Sequence, residues 1–309
     1  MITNEDHLAI RLKMMDRFKT SFPWLGNQVK NLRVKKFSKS QTAELGETED
    51  EPLKDEPLKT DNQPSDEYQS TAEPSYIQVD PYANQPPHTI LIGICDDDIP
   101  LTLSLDNPAP GALLLIGDTG AGKTRLARSI LTSAMQMNTP EQVVYSILAS
   151  DIHEYTDLAE YDNCRSLFAL RDPALLDLID QLYEEGEKRR SQPDKQAVLL
   201  VIDDLSKFVQ RLNIDRLTKL VHLIKHGPRL RIWIAATLSA RDVDSTDPSL
   251  LDAFRTHLLG NLADPVLATY LGGDASCPVG QLDKGNQFCA SVGGEWLKFW
   301  IYEPQGGVE

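Results

Sequence analysis

One stretch of this chain constrains the fold more than any other: GALLLIGDTGAGKTRLARSILTSAM, residues 111–135. Apolar residues lead into a glycine-rich turn, and apolar residues at helical spacing follow it. This order predicts a buried strand, a tight turn and an amphipathic helix. Within the turn, Gly117, Gly122, Lys123 and Thr124 match the pattern G-x-x-x-x-G-K-[ST] in the strand–turn–helix context that the pattern requires.

These residue types predict a site for nucleotide phosphates. Glycines permit backbone conformations that direct successive N–H groups at phosphate oxygens, and the amino end of a helix adds a positive dipole. We expect Lys123 to contact the β- and γ-phosphates and the Thr124 hydroxyl to coordinate Mg²⁺. The alternative is a glycine turn that binds no nucleotide. The residues predicted to bind ATP are Gly117, Asp118, Thr119, Gly120, Ala121, Gly122, Lys123, Thr124 and Arg125.

A second motif, VLLVIDDL at residues 198–205, is a buried strand that ends in two carboxylates. Buried carboxylates cost free energy unless they have partners. We therefore predict that Asp203 coordinates Mg²⁺ together with Thr124, and that Asp204 polarises the attacking water. The alternative is a solvent-exposed acidic turn.

Strands and helices alternate from residue 89 onward, which predicts a mostly parallel α/β sheet flanked by helices. TILIGICDDDIPLTLSL and QFCASVGGEWLKFWIY predict peripheral hairpins that turn at residues 96–98 and 293–294. The strand QVVYSILAS lies between the two motifs in the chain, so we expect an additional strand between theirs in the sheet. That arrangement is typical of ATPases that do mechanical or regulatory work. The chain has no LSGGQ-like segment, which argues against a transporter ATPase of the ABC type.

Composition divides the chain into three regions. Residues 1–39 form a basic amphipathic arm, either a docking element for DNA, lipid or a protein partner or an ordinary packed helix. Residues 40–88 are acidic, rich in proline and poor in apolar residues, which predicts a disordered linker. Residues 89–309 form the ATPase domain. The net charge of −15 therefore reflects the linker in large part and argues against a generally basic nucleic-acid coat.

The four cysteines are scattered without a C-x-x-C pair, so we expect neither a disulfide framework nor a zinc site. No apolar run is long enough for a transmembrane helix, and the amino terminus has no signal-peptide pattern. These features predict a cytoplasmic protein.

Beyond the two motifs, the chain resembles the FtsK/SpoIIIE/HerA superfamily of hexameric motors over roughly residues 89–303. GDTGAGKT is close to the family's G-T-T-G-S-G-K-S, and ILIGICDDDIPLTLSL resembles the strand pair before it. ASDIHEYTDLAEY takes the place of D-P-K-x-x-E-L-x-x-Y, with Asp151 at the leading aspartate. EEGEKRRSQ resembles the E-M-x-x-R-Y helix end and puts Arg189 at its arginine. IAATLSARDVDS stands where the family has A-T-Q-R-P-S, and LGGDASCPVGQLDKGNQF resembles its glycine-rich closing segment.

The chain departs from the family pattern at three positions. Asp204 stands where many relatives have glutamate, and Leu238 replaces the sensor glutamine. The neighbouring Thr237 or Ser239 can take over the contact with the γ-phosphate. Val266 occupies the position of a family arginine.

An arginine finger from a neighbouring subunit therefore needs another source. We consider Arg255 and Arg241, with a surface salt bridge as the alternative role for Arg255. The predicted catalytic residues are Lys123, Asp203, Asp204, Thr237 and Arg255.

The resemblance implies ATP hydrolysis and assembly into a hexameric ring, but it specifies the cargo less well. The long DNA translocases of the family carry membrane segments and a winged-helix reader, and we expect a motor with neither. Seven cations and one acid lie between residues 205 and 231, which favours a pore that follows the backbone of double-stranded DNA. A solvated helix face is the alternative for this stretch. Two other functions stay open: a protein-handling secretion or conjugation-coupling ATPase, and a slowly hydrolysing ATP-dependent switch.

Overall fold

The computed structural model describes residues 80–83, 85–272, 276–292 and 295–303. The predicted arm, most of the predicted linker and the turn at residues 293–294 lie outside the described residues. At the end of the predicted linker, Pro81 is buried and the ring of Tyr82 packs edge-on against Tyr302 at 5.2 Å. Residues 81 and 82 therefore already pack against the domain.

Strands and helices alternate through the centre of the domain. The strands are β1 (Thr89–Cys95), β2 (Pro100–Ser104), β3 (Leu113–Gly117), β4 (Val143–Ala149), β5 (Cys164–Ala169), β6 (Ala197–Asp203), β7 (Ile232–Ser239), β8 (Thr256–Leu259), β9 (Gln287–Val292) and β10 (Glu295–Trp300). The α-helices are α1 (Lys123–Met137), α2 (Ala174–Ser191), α3 (Leu205–Val209), α4 (Ile214–His226), α5 (Pro248–Leu251) and α6 (Pro265–Gly272). No described helix is both long and apolar enough to span a bilayer.

All of these strands belong to one sheet in the order β2-β1-β10-β9-β8-β3-β7-β6-β4-β5. The six strands from β8 to β5 pair in parallel, and the four strands at the other end pair in antiparallel fashion. The β1–β2 and β9–β10 pairs are the two predicted hairpins. The mostly parallel sheet of a P-loop NTPase, with peripheral hairpins, is therefore confirmed.

A strand does separate the two motif strands, as predicted, and it is β7. β7 pairs in parallel with β3 on one side and with β6 on the other. The strand QVVYSILAS, β4, lies on the far side of β6. Helical crossovers place successive parallel strands in an order that differs from the order of the chain, so a position between the motifs in sequence does not mean a position between them in the sheet.

Two apolar cores lie on the two faces of this sheet. One contains Leu126, Ile130 and Leu131 of α1 together with the hairpin β1–β2. The other contains residues of α2 and α4 and the buried Phe208 of α3. Because β3, β4 and β6 are buried along nearly their whole lengths, these strands consist of continuous apolar runs.

Arg189, which the family resemblance singled out, is buried next to the amino ends of strands β6 and β7. Its guanidinium pairs with Glu185 at 2.5 Å and donates to the carbonyl oxygens of Gln196 and Leu230 at 2.7 and 3.1 Å. Gln196 precedes β6 and Leu230 lies just before β7. Arg189 therefore ties α2 to the starts of the two strands that carry site residues.

Candidate nucleotide site

The carboxyl ends of β3, β6 and β7 meet the amino end of α1 at one edge of the sheet. A cavity of about 810 Å³ lies there. It is lined by Thr119, Gly120, Gly122, Lys123, Thr124, Arg125, Arg128, Ser150, Asp151, Glu154, Asp203, Asp204, Thr237, Ser239, Arg241, Gly285 and Glu303. The two motifs predicted from the sequence therefore share one cavity.

The loop before α1 needs glycine at two of its positions. Gly120 and Gly122 have φ angles of +80° and +88°, a region that side chains other than glycine rarely adopt. A Cβ atom on Gly122 would also lie 2.5 Å from the carbonyl oxygen of Gly285. The side chain of Asp118 turns away from the loop and accepts from the Ala263 N–H at 2.7 Å. The loop conformation thus depends on the glycines and on the segment before β9.

Asp203 is the hub of the site because three hydroxyl groups donate to its carboxylate. Thr124 and Tyr155 donate to Oδ2 at 3.0 and 2.9 Å, and Thr237 donates to Oδ1 at 2.7 Å. These bonds fix the orientation of the carboxylate beside the Thr124 hydroxyl. An aspartate and a threonine hydroxyl together are oxygen ligands of the kind that Mg²⁺ prefers, so the residues present fit this ion.

Tyr155 is one of several site residues that the sequence interpretation missed; the others are Arg128, Ser150, Glu154, Gly285 and Glu303. Tyr155 is fully buried, and burial together with the Asp203 carboxylate raises the pKa of its phenol well above the ordinary value. The phenol therefore stays protonated and keeps donating to Asp203. Tyr155 belongs to the segment ASDIHEYTDLAEY, from which we selected only Asp151, but nothing local in that segment indicates its contact with Asp203.

Lys123 lies within the curve of the loop. Its ammonium group donates to the carbonyl oxygens of Gly117 and Asp118 at 2.9 and 2.8 Å. Burial lowers the pKa of Lys123, and the nearby carboxylate of Asp203 opposes that shift. The loop carbonyls thus hold the ammonium group at the position where bound phosphates would meet it.

Asp204 is engaged differently from Asp203. Its backbone is left-handed, with φ at +89°, and its Oδ1 accepts from the Lys207 N–H at 3.1 Å, capping α3. Its Oδ2 lies 2.6 Å from the Lys207 ammonium group and accepts from the Ser150 hydroxyl at 3.3 Å. The predicted water-activating carboxylate is therefore held by Lys207 and Ser150.

The rim of the cavity carries several charges. Arg125 pairs with Glu303 at 2.5 Å and also contacts the amide oxygen of Asn286, so it ties α1 to both sides of the β9–β10 hairpin. Arg241 follows β7, and its side chain is 76% exposed. Arg241 also lines the cavity of its own chain.

Of the remaining predicted catalytic residues, Thr237 lies at the cavity and Arg255 lies at the opposite ends of the strands. Thr237 lines the cavity, whereas its neighbour Leu238, which stands at the position of the sensor glutamine, is buried in the core. Arg255 precedes β8, and its side chain packs over Gly111, just before β3. Because β3 and β8 run in parallel, Arg255 lies at the amino edge of the sheet, opposite the phosphate loop.

The cations between residues 205 and 231 are largely paired within the chain. Arg216 and Lys219 on α4 each lie 2.8 Å from the carboxylate of Asp180 on α2. Arg231 pairs with Asp106 at 3.0 Å. The count of cations in the sequence therefore overstates the positive charge that this stretch presents to a ligand.

Within the described part of the chain, no three or more His, Cys, Asp or Glu side chains are arranged to hold a metal ion by themselves. A metal at this site would be held by Thr124, Asp203 and the phosphates of a nucleotide, which is how Mg²⁺ commonly binds to such loops.

The fold and the loop together define a P-loop NTPase domain. A family model described as an AAA domain matches residues 108–243, a span that runs from before β3 to just after β7 and includes both motifs. The match supports ATPase activity in general terms. No curated protein matches the chain.

Several solved ATPase structures share the fold. EssC (ATPases 2 and 3) from Geobacillus thermodenitrificans aligns with a TM-score of 0.60 and 17% identity, over 71% of this chain and 46% of that one. The cytoplasmic domain of the type VII secretion ATPase EccC from Thermomonospora curvata gives 0.56 and 17%, over 74% and 31%. The pCW3 conjugation coupling protein TcpA gives 0.53 and 16%, over 72% and 68%.

At these identities the likeness concerns the fold. The aligned region spans less than half of the EssC and EccC structures.

Proposed function

We propose that this chain binds ATP with Mg²⁺ at the phosphate loop and hydrolyses it to ADP and phosphate. The observation that carries the proposal is the Asp203 carboxylate, which Thr124 of the loop and Thr237 of β7 hold in place at 3.0 and 2.7 Å. Three elements distant in sequence thus place oxygen ligands and a half-buried ammonium group around one cavity, and these are the groups that phosphoryl transfer requires.

Each group has a proposed role in this reaction. The loop N–H groups and Lys123 bind the β- and γ-phosphates, and Thr124 and Asp203 hold the metal. Mg²⁺, when bound, neutralises charge on the phosphates. Asp204 orients the attacking water and accepts its proton, once its carboxylate is released from Lys207. Ser239, at the end of β7, donates to the γ-phosphate, because the single hydroxyl proton of Thr237 is used to hold Asp203.

We further propose that hydrolysis moves double-stranded DNA through a homo-hexameric ring in the cytoplasm. Arg211 supports DNA as the cargo, because it lies on the same side of the sheet as the nucleotide cavity and pairs with no described carboxylate. Lys207 lies beside it and pairs with Asp204. The pairing of Arg216 and Lys219 with Asp180 reduces that support, since these cations are already neutralised. The amino-terminal arm is the proposed docking element for a further partner.

A second candidate cargo is polypeptide. Ile214, at the start of α4, is 84% exposed and offers one apolar contact point to another chain. EccC, which shares the fold, is a type VII secretion ATPase, and one of its structures is a complex with a signal sequence peptide. A secretion-type or coupling function for this chain is proposed on these two grounds.

The test compares ATP turnover by the wild type, Lys123→Ala and Lys225→Ala, each alone, with double-stranded DNA and with an unfolded polypeptide. We expect at least 100-fold loss of turnover in Lys123→Ala because the phosphates lose the cation that the loop holds beside them. Lys225 is exposed on α4 and outside the cavity, so its variant is the matched control and keeps wild-type turnover. DNA is expected to raise the wild-type rate several-fold.

Equal turnover in the wild type and Lys123→Ala would reject the ATPase proposal. Stimulation by polypeptide and not by DNA would replace the DNA cargo with the second candidate.

A further inference from the structure

We propose that a groove beside the nucleotide site binds the phosphodiester backbone of nucleic acid. The groove lies between the segments that follow β4 and β5 and helix α3, and we call it the basic groove. Its cationic lining residues are Arg171, Lys207 and Arg211. The inference rests on the proposed function and deepens it, because it assigns the place where the DNA cargo contacts the ATPase.

The basic groove has the size and lining of a binding site. It encloses about 510 Å³, within the range of typical ligand sites. His153 and Gln210 add polar groups to the wall, and Ile152, Ala169 and Leu170 add apolar ones. Its one acid is Asp151, whose Oδ1 already accepts from the His153 N–H at 3.0 Å.

One cation of the groove, Arg211, is held in place by a hydrogen bond to the backbone. Arg211 donates from its guanidinium to the carbonyl oxygen of Leu170 at 2.6 Å, which orients the side chain at the end of β5. Guanidinium groups bind phosphate with paired N–H donors, and less freedom is lost when the side chain is already held. Arg171, the next residue after Leu170, is exposed at the same place.

The distribution of charge favours this groove over α4 as the contact. On α4, Arg216 and Lys219 share Asp180 of α2. In the basic groove, Arg171 and Arg211 pair with no carboxylate among the described residues, whereas Lys207 pairs with Asp204 at 2.6 Å. A sequence-independent motor needs cations that follow phosphates and do not read bases.

Lys207 contacts both the basic groove and Asp204, the proposed water-activating residue. Its ammonium group lines the groove and lies 2.6 Å from Oδ2 of Asp204, and Ser150 lines both the groove and the nucleotide cavity. A phosphate in the groove competes with Asp204 for Lys207. Binding of nucleic acid then frees the Asp204 carboxylate to accept a proton from water, which gives DNA-stimulated hydrolysis a physical route.

The first test measures binding of a fluorescent 30-base-pair duplex by anisotropy, with ATPγS and Mg²⁺ present so that no turnover is needed. We expect Arg171→Glu to weaken binding at least tenfold and to make the slope of log affinity against log salt shallower by about one. Arg229→Glu carries the same charge change on an exposed residue at the opposite edge of the sheet and is the matched control, expected within twofold of the wild type.

Equal affinity of the wild type and Arg171→Glu, or equal loss in both variants, would overturn the assignment of the groove. Displacement of the duplex by polyglutamate at the same concentration of charge would overturn the phosphodiester as its ligand. Because binding is read without hydrolysis, loss of ATPase activity alone would count against the proposed function and not against the groove.

The second test addresses the link through Lys207. In Lys207→Gln the backbone N–H of residue 207 still donates to the capping carboxylate of Asp204, but no ammonium group holds that carboxylate. We expect basal ATP turnover to rise several-fold and further stimulation by the duplex to disappear, with the thermal midpoint unchanged within a few degrees. A variant that folds, keeps the low wild-type basal rate and is still stimulated by the duplex would contradict the link.

Discussion

Two adjacent aspartates occupy different surroundings at the end of β6. Asp203 accepts from three hydroxyl groups and has no described cation in hydrogen-bond contact, whereas Asp204 caps α3 and pairs with Lys207. A carboxylate held by neutral donors is free to take a metal ion. A carboxylate held by an ammonium group is restrained as a base until that cation moves. The two side chains are therefore suited to the two different roles proposed for them.

At the residue scale, Tyr155→Phe tests the support of Asp203. The variant removes the hydroxyl that donates to Oδ2 at 2.9 Å and keeps the buried ring. Groups that orient a metal ligand typically change metal affinity 10- to 100-fold, so we expect the Mg²⁺ concentration for half-maximal turnover to rise about tenfold. The lost hydrogen bond also costs about 1 kcal/mol of folding free energy.

A titration of ATPase activity with Mg²⁺ measures this effect. Tyr145→Phe is the control, because that hydroxyl donates to the carbonyl oxygen of Leu158 and does not contact Asp203. If both variants need the same Mg²⁺ concentration as the wild type, Tyr155 has only a packing role.

Residues of the loop could be assigned from sequence because their spacing alone specifies the geometry. Gly120 and Gly122 have positive φ angles, and the sequence places glycine at both positions. Tyr155 could not be assigned in the same way, since its contact with Asp203 spans 48 positions of the chain. The engagement of Asp204 by Lys207 is local, yet a count of acids and bases does not indicate which pairs form.

At the scale of elements, long apolar runs were the most predictable part of the fold. Strands β3, β4, β6 and β7 are buried nearly throughout, and each follows from its sequence. Strand β5 was missed because it lies at the edge of the sheet and its residues are only half-buried. Strand β8, with four residues, is too short for a periodic pattern.

Helix α4 shows why local composition misleads. Two of its cations, Arg216 and Lys219, pair with Asp180, which lies on α2 some 36 positions away from Arg216. Partners supplied by another element cannot be counted within a window of sequence. Of the stretch 205–231, only the first part, around α3, is therefore still proposed to contact DNA.

His257, in strand β8, is expected to make the folding stability depend on pH. Burial lowers the pKa of His257 from 6.5 to about 4, so between these values the unfolded chain binds more protons than the folded one. Folding stability is thus full above about pH 6.5 and is lost as the pH falls toward 4, by about 3 kcal/mol in total from this residue. Denaturant unfolding at several pH values measures the slope.

His257→Gln is expected to flatten that slope relative to the wild type. His153→Gln, at an exposed position outside β8, serves as the control and keeps the wild-type slope. An unchanged slope in His257→Gln would show that acid sensitivity comes from other groups.

At the scale of the whole domain, the last strands complete the site that the first motif begins. Gly285 and Glu303 lie on either side of the β9–β10 hairpin, and both line the nucleotide cavity. Arg125 joins α1 to this hairpin region through Glu303 and Asn286. This closure was not predictable from the motifs, because it depends on the pairing of β9 with β8 next to β3.

The position of Arg241 leads to a prediction about assembly. Arg241 lines the cavity of its own chain, whereas Arg255 lies at the opposite edge of the sheet and can act only on the site of another copy. We therefore expect Arg241 to stabilise charge on the γ-phosphate in cis. Mixing Arg241→Ala with Lys123→Ala in equal amounts then restores no activity, because every subunit lacks one group of its own site.

The measurement is ATP turnover of the mixture after exchange of subunits, compared with the mean of the two separate variants. If Arg241 served a neighbouring site, an Arg241→Ala subunit with an intact loop would regain its arginine from a Lys123→Ala neighbour. Turnover well above the mean would then be observed, and the assignment in cis would be wrong. The matched mixture of Arg255→Ala with Lys123→Ala is the second arm, since recovery there and not with Arg241 identifies the arginine that crosses the subunit boundary.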